Sequence, residues 1–223
     1  MDKKLFFEAI IKFLLGVVLV GLLIFLPAGT IKFFNGWLLM IILFVPMFIV
    51  GIILMIKNPA LLKERLEAKE KQKTQDTLIK LSGLMFIVGF IIAGLDFNFK
   101  WLKLPSFISY ISALTFLLAY LLWAIVLKQN TFLSRTIKVV NNQKVIDTGL
   151  YSVVRHPMYT ASIILFLSIP LVLGSLFSFL IFLIYPFLIV KRINNEEKVL
   201  EEHLQGYKEY KEKVKYRLIP FIW

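Results

Sequence analysis

An all-α, polytopic helical membrane protein is predicted, with about six transmembrane helices and a C-terminal cytoplasmic amphipathic helix. Three observations predict it. Of 223 residues, 59% are hydrophobic and the mean hydropathy is +0.80, more than a soluble core of this length hides. The apolar residues form continuous charge-free runs, which fit helices and not the alternating strands of a barrel. The basic residues flank those runs and divide unequally between the two sides.

The first four runs are 13–31, 33–56, 81–95 and 104–127, each bounded by a charged residue. The third is short and is expected to stop at Asp96. The fifth run, 156–190, holds no Asp, Glu, Lys or Arg over 35 residues. As one straight helix it would measure about 50 Å, against a hydrocarbon core of about 30 Å. Basic residues close both of its ends: Arg155 before it, Lys191 and Arg192 after it. The run therefore has to fold back as a hairpin. The stretch 170–175, PLVLGS, is its natural turn, and Pro186 is placed to kink the second arm.

Charge counting reaches the same topology independently. With the N-terminus, 57–77, 128–155 and 191–217 on one side, that side holds 21 Lys and Arg against 3 on the other. Six spans with both termini cytoplasmic follow. The N-terminal run is too long, and lacks a small-residue cleavage site, to read as a removable signal. Residues 57–77 read as a solvated, helix-prone connector. The chain divides into 1–77, a two-span hairpin with this connector, and 78–223, the remainder.

The tail, 194–214, reads as a helix. Val199, Leu200, His203, Leu204, Tyr207, Tyr210 and Val214 recur at three- and four-residue steps. Asn194 or Asn195 is the expected N-cap, Gly206 the expected weak point and His203 a packing residue.

There is no Cys, and there are two His, which removes thiolate chemistry and Cys- or His-based metal sites from consideration. The net charge of +12 flanks apolar runs, as orientation signals and anionic-lipid contacts do. The hairpin gathers Tyr151, Arg155, His156, Tyr159, Arg192, Glu196 and Glu197 at one cytoplasmic mouth, Glu196 being one turn past Arg192. A lone Arg at a membrane boundary is usually a snorkelling anchor, and Arg155 reads as an anchor or a phosphate contact. A carboxylate pair, two Arg, a His and two Tyr together read as a site.

The motif GLYSVVRHPMYTA (149–161), the charge-free hairpin, R-x-x-x-E-E (192–197) and GYKEYKEKVKYRLIP (206–220) together resemble the isoprenylcysteine carboxyl methyltransferase family. That family is related to the membrane phospholipid N-methyltransferases. The resemblance covers roughly the last 95 residues and makes 78–223 a methyltransferase core. It implies S-adenosylmethionine as methyl donor, bound under the tail helix. By matching positions, the donor contacts fall on Gln143, Lys144, Val145, Ile146, Tyr151, His156, Pro157, Met158, Tyr159 and Glu196. The same match gives Arg192 the substrate carboxylate and makes Arg192 and Glu196 the catalytic pair. The family carries Gly where Ala161 stands here.

The chemistry fits these residue types. A carboxylate acceptor is already anionic and needs positioning and a dry site, not a general base. The planar fork of Arg suits its two oxygens. An amine acceptor would first lose a proton, which His156 or Glu197 could take. The expected partners are a membrane lipid or lipid-linked substrate and the bilayer itself, with no nucleic acid and no metal. Two further readings stand beside this one: a non-enzymatic protein binding lipid headgroups, and an NADPH-dependent sterol reductase, whose C-terminal part is distantly similar but whose chains are longer.

Overall fold

A computed structural model describes residues 3–66, 73–130, 132 and 143–223. Part of the connector, 67–72, lies outside the described residues. The elements are α1 (Lys3–Ala28), α2 (Phe34–Lys57), α3 (Pro59–Leu66), α4 (Lys73–Phe99), α5 (Ser106–Gln129), a 3-10 turn (Gly149–Ser152), α6 (Pro157–Val172), α7 (Leu176–Phe182), α8 (Ile184–His203) and α9 (Tyr207–Lys213). No strand occurs among the described residues. Among the described residues, five runs are long and apolar enough to cross a membrane: α1, α2, α4, α5 and the combined α7–α8 run Leu176–His203. The 16-residue α6 is a shorter apolar helix, and the protein is integral to the membrane.

The hairpin forms. Its reversal occupies 173–175, where Gly174 takes a left-handed φ of 78° and Ser175 caps α7 by accepting from the Ser178 N–H. Pro170 sits inside α6, not at the reversal itself. The second arm breaks at Leu183, between α7 and α8. The cause is Pro186: it has no N–H for the Phe182 carbonyl four residues back, and its ring crowds that carbonyl.

Two local expectations are corrected. α4 does not stop at Asp96 but continues to Phe99. Asp96 is buried there because the Ser175 hydroxyl donates to it at 2.6 Å and the Leu102 N–H at 3.2 Å. The tail helix has no N-cap at Asn194 or Asn195, since α8 runs uninterrupted out of the membrane to His203. The break comes at Gly206, whose φ of 83° favours glycine, and α9 starts after it.

Contacts sort the elements to two ends. At one, Leu5 packs with Met55 and Leu62, the Gln75 amide meets the Arg192 carbonyl at 3.5 Å, and Gln129 accepts from the Leu150 N–H. At the other, Asn35 donates to Ser109, Asn98 to the Pro27 carbonyl and Ser175 to Asp96. The tail and the 149–161 motif share the first end.

Close approach of α1 and α4 depends on Gly94. A Cβ there would lie 2.5 Å from the Ile24 carbonyl oxygen and 3.0 Å from the Ala28 nitrogen, both backbone atoms that cannot rotate away. Gly94→Ala is expected to cost about 1–3 kcal/mol by overpacking. Thermal unfolding in detergent checks this, with Gly51→Ala as the control because nothing lies within 4 Å of its Cβ position.

Candidate functional site

A cavity of about 450 Å³ opens where α4, α6, α8 and α9 meet the segment leading into the 3-10 turn. Its volume is in the range of small-molecule sites. One part is apolar, walled by Phe86, Phe166, Leu188 and Ile189, with the Phe86 and Phe166 rings edge-on at 4.8 Å. The other part holds Tyr159, Arg192 and Glu196.

Those three side chains form one hydrogen-bonded chain. The Arg192 Nε–H donates to the Tyr159 hydroxyl at 2.8 Å, and that hydroxyl donates to Glu196 Oε2 at 2.5 Å. The guanidinium also lies 5.9 Å from the centre of the Tyr159 ring, within cation–π range. α6 supplies the Tyr on its first turn and α8 supplies Arg and Glu one turn apart. The fold-back therefore assembles this chain from residues more than thirty positions apart.

Glu197 does something different. Adjacent residues on a helix point about 100° apart, so Glu197 faces away from Glu196. It is 2% exposed. Its Oε1 accepts from Arg155 Nε at 2.8 Å and lies 3.1 Å from His156 Nε2, and its Oε2 accepts from Arg217 Nε at 3.0 Å and Nη2 at 2.9 Å. Arg155 Nη1 goes on to donate to the Val214 and Lys215 carbonyls. The backbone N–H groups of Arg155 and His156 donate to the Tyr216 and Arg217 carbonyls, and the Thr160 hydroxyl to that of Leu218. One buried carboxylate thus joins the start of α6, α8 and the C-terminal strap.

Gln143, Lys144, Val145, Ile146, Tyr151, His156, Met158, Tyr159, Arg192 and Glu196 all line the cavity. Pro157 is buried at the first position of α6, off the cavity wall, where a missing N–H costs the helix nothing. Ala161 is fully buried. Arg155 is a buried clamp, not an anchor at the membrane surface. His203 is exposed beside Glu202, not packed, because Leu200 and Leu204 take the packed positions around it. The α4 wall, from Leu78 through Ser82 to Phe86, and the tail residues Tyr207 and Tyr210 also line the cavity, beyond the residues to which the sequence points. The tyrosine spacing on the tail was a signal for a covered face, but nothing in α4 marks its cavity side.

The tail is held over the cavity. Leu204, Tyr207, Tyr210 and Val214 form a buried cluster against Val145 and Leu200. The Tyr210 hydroxyl donates to the Tyr151 carbonyl at 2.7 Å, and Lys213 pairs with Asp147 at 2.8 Å. The Lys213 hydrogen bond and charge hold the Asp147 carboxyl below its usual range. Burial pushes the hydroxyls of Tyr151, Tyr207 and Tyr210 above theirs. The Tyr207 hydroxyl is buried with no hydrogen-bond partner among the described residues. Asn130 stands beside the Tyr151 hydroxyl, which has no hydrogen-bond partner among the described residues.

Residues 110–202 match the model of the Isoprenylcysteine carboxyl methyltransferase (ICMT) family. Over 91 residues the chain is also 30% identical to the Delta(14)-sterol reductase TM7SF2 of Mus musculus, a stretch of 40% of this chain and 22% of that protein. The match thus spans about a fifth of the length of this curated relative.

Proposed function

We infer from the match over residues 110–202 that the chain belongs to the isoprenylcysteine carboxyl methyltransferase family. On that premise we propose that it transfers the methyl group of S-adenosylmethionine to a carboxylate on a lipid or lipid-linked molecule. One observation carries this reading: the hydrogen-bonded chain from Arg192 through Tyr159 to Glu196 lines the same cavity as the apolar side chains Phe86, Phe166 and Leu188 of the apolar helices.

The residues present fit such a donor. Its ammonium and ribose hydroxyls call for an acceptor, which Glu196 supplies. The unpaired Tyr207 hydroxyl calls for a polar ligand atom. When bound, the donor supplies a sulfonium-activated methyl group open to in-line displacement. The protein's task is then placement. Arg192 holds the acceptor carboxylate, Tyr159 fixes the Arg192 fork, and the tail cluster keeps water from the reacting atoms. Of the two groups that could take a proton from an amine, Glu197 has both oxygens engaged by cations and the His156 Nε2 is turned to Glu197 at 3.1 Å, which favours a carboxylate acceptor. The basic-residue asymmetry supports a cytoplasmic side for this mouth and both termini. The acceptor's apolar part lies against Phe86, Phe166 and Leu188 while its head reaches Arg192.

The mouse relative supports a second reading, an NADPH-dependent reductase. NADPH is a much larger ligand than S-adenosylmethionine and fits a cavity of about 450 Å³ less well.

Incubating the purified protein with methyl-labelled donor and a membrane lipid extract tests both. The expected product releases labelled methanol in mild alkali, as a methyl ester does. Alkali-stable label would make the acceptor an amine and the protein a phospholipid N-methyltransferase. Saturable NADPH binding without donor binding would make it a reductase, and binding of neither would leave a lipid-binding protein.

A further inference from the structure

α9 does more than cover the cavity. Tyr207 is 4% exposed, and its ring is packed within the tail cluster while the residue lines the cavity wall. Three residues on, Tyr210 satisfies its hydroxyl on the Tyr151 carbonyl, and Tyr159 satisfies its own on Glu196. The Tyr207 hydroxyl has no such partner among the described residues. A buried phenol left unpaired is costly, and in a cavity wall it marks a bond that a ligand completes.

Its surroundings define the ligand atom. Burial, then the negative charges of Glu197 and Glu196, keep the hydroxyl protonated, with Arg155 acting in the opposite sense. It is therefore a donor, and an anionic ligand group would meet two carboxylates nearby. Val145, Leu200 and Leu204 make this wall apolar, suited to a flat, uncharged group. Charged ligand groups are better placed at Arg192 and Glu196.

We infer that Tyr207 is a ligand-binding residue, donating its hydroxyl hydrogen to an acceptor on the nucleoside half of the methyl donor. The inference rests on the methyl-donor reading above. Tyr207→Phe removes the oxygen and keeps the ring, so the tail cluster stays packed. The variant is expected to bind S-adenosylmethionine about tenfold more weakly, and adenosine, used alone as a competitor, is expected to weaken by the same factor. Its ligand-free thermal midpoint is expected to match or exceed that of the wild type. Unchanged donor affinity overturns the inference, as does weakened donor binding with adenosine competition unaffected. A ligand-free midpoint several degrees lower would show that the hydroxyl already has a protein partner, and also overturns it. If the wild type itself fails to bind the donor, the methyl-donor reading falls and takes this inference with it; wild-type binding with an unaffected variant overturns the Tyr207 assignment alone.

Discussion

Glu197→Ala is expected to destabilise the protein by about 3–5 kcal/mol, the cost typical of removing one partner from a buried ion cluster. The carboxylate is nearly inaccessible and takes bonds from two arginines on both of its oxygens. Without it, the Arg155 guanidinium, with 4% of its side chain exposed, is left as an uncompensated buried cation. Arg155 also holds the tail through the Val214 and Lys215 carbonyls, so the loss spreads to the C-terminal strap. Thermal unfolding in detergent and limited proteolysis of the strap are the readouts. Wild-type midpoints and an intact strap in the Ala variant would show that the cluster does not hold the tail.

Glu196→Gln, one residue earlier, is expected to act on binding instead. It lowers donor affinity by about 100-fold, the scale of one lost charge-assisted hydrogen bond to a ligand, with little change in ligand-free stability. The glutamine keeps the side-chain shape but removes the charge facing Arg192 and weakens the bond from Tyr159. Arg192, the charge it faces, is only partly buried and keeps its bond to the Tyr159 hydroxyl, so no isolated charge is stranded when the Glu196 charge goes. Calorimetric titration with S-adenosylmethionine measures the effect. The pair is a joint test of the geometry. If Glu196→Gln unfolded the protein while Glu197→Ala merely weakened binding, the assignment of the two carboxylates to cavity and clamp would be reversed.

That division of labour was not legible in the chain. Two consecutive glutamates near a membrane boundary read as one acidic pair. Which one faces the cavity depends on the rotation of α8 about its axis, set by packing against α4 and α6. The same limit explains Asp96: a lone acid reads as the end of a span until the Ser175 hydroxyl, 79 residues later, is found donating to it. Gln75, in the stretch read as solvated connector, is fully buried for a similar reason, its partner being the Arg192 carbonyl.

The sequence by itself determined the helical membrane class, the doubling back of 156–190 and the meeting of the histidine–tyrosine motif with Arg192 and Glu196. Bilayer thickness and hydrophobic transfer act on local stretches, so local composition carries their consequences. Only the tertiary structure decided which carboxylate faces the cavity, which part of α4 walls it, and that Arg155 and Arg217 lock the tail instead of meeting solvent or phosphate. Those outcomes depend on helix rotation and on contacts between residues distant in the chain, and no run of neighbouring residues encodes them.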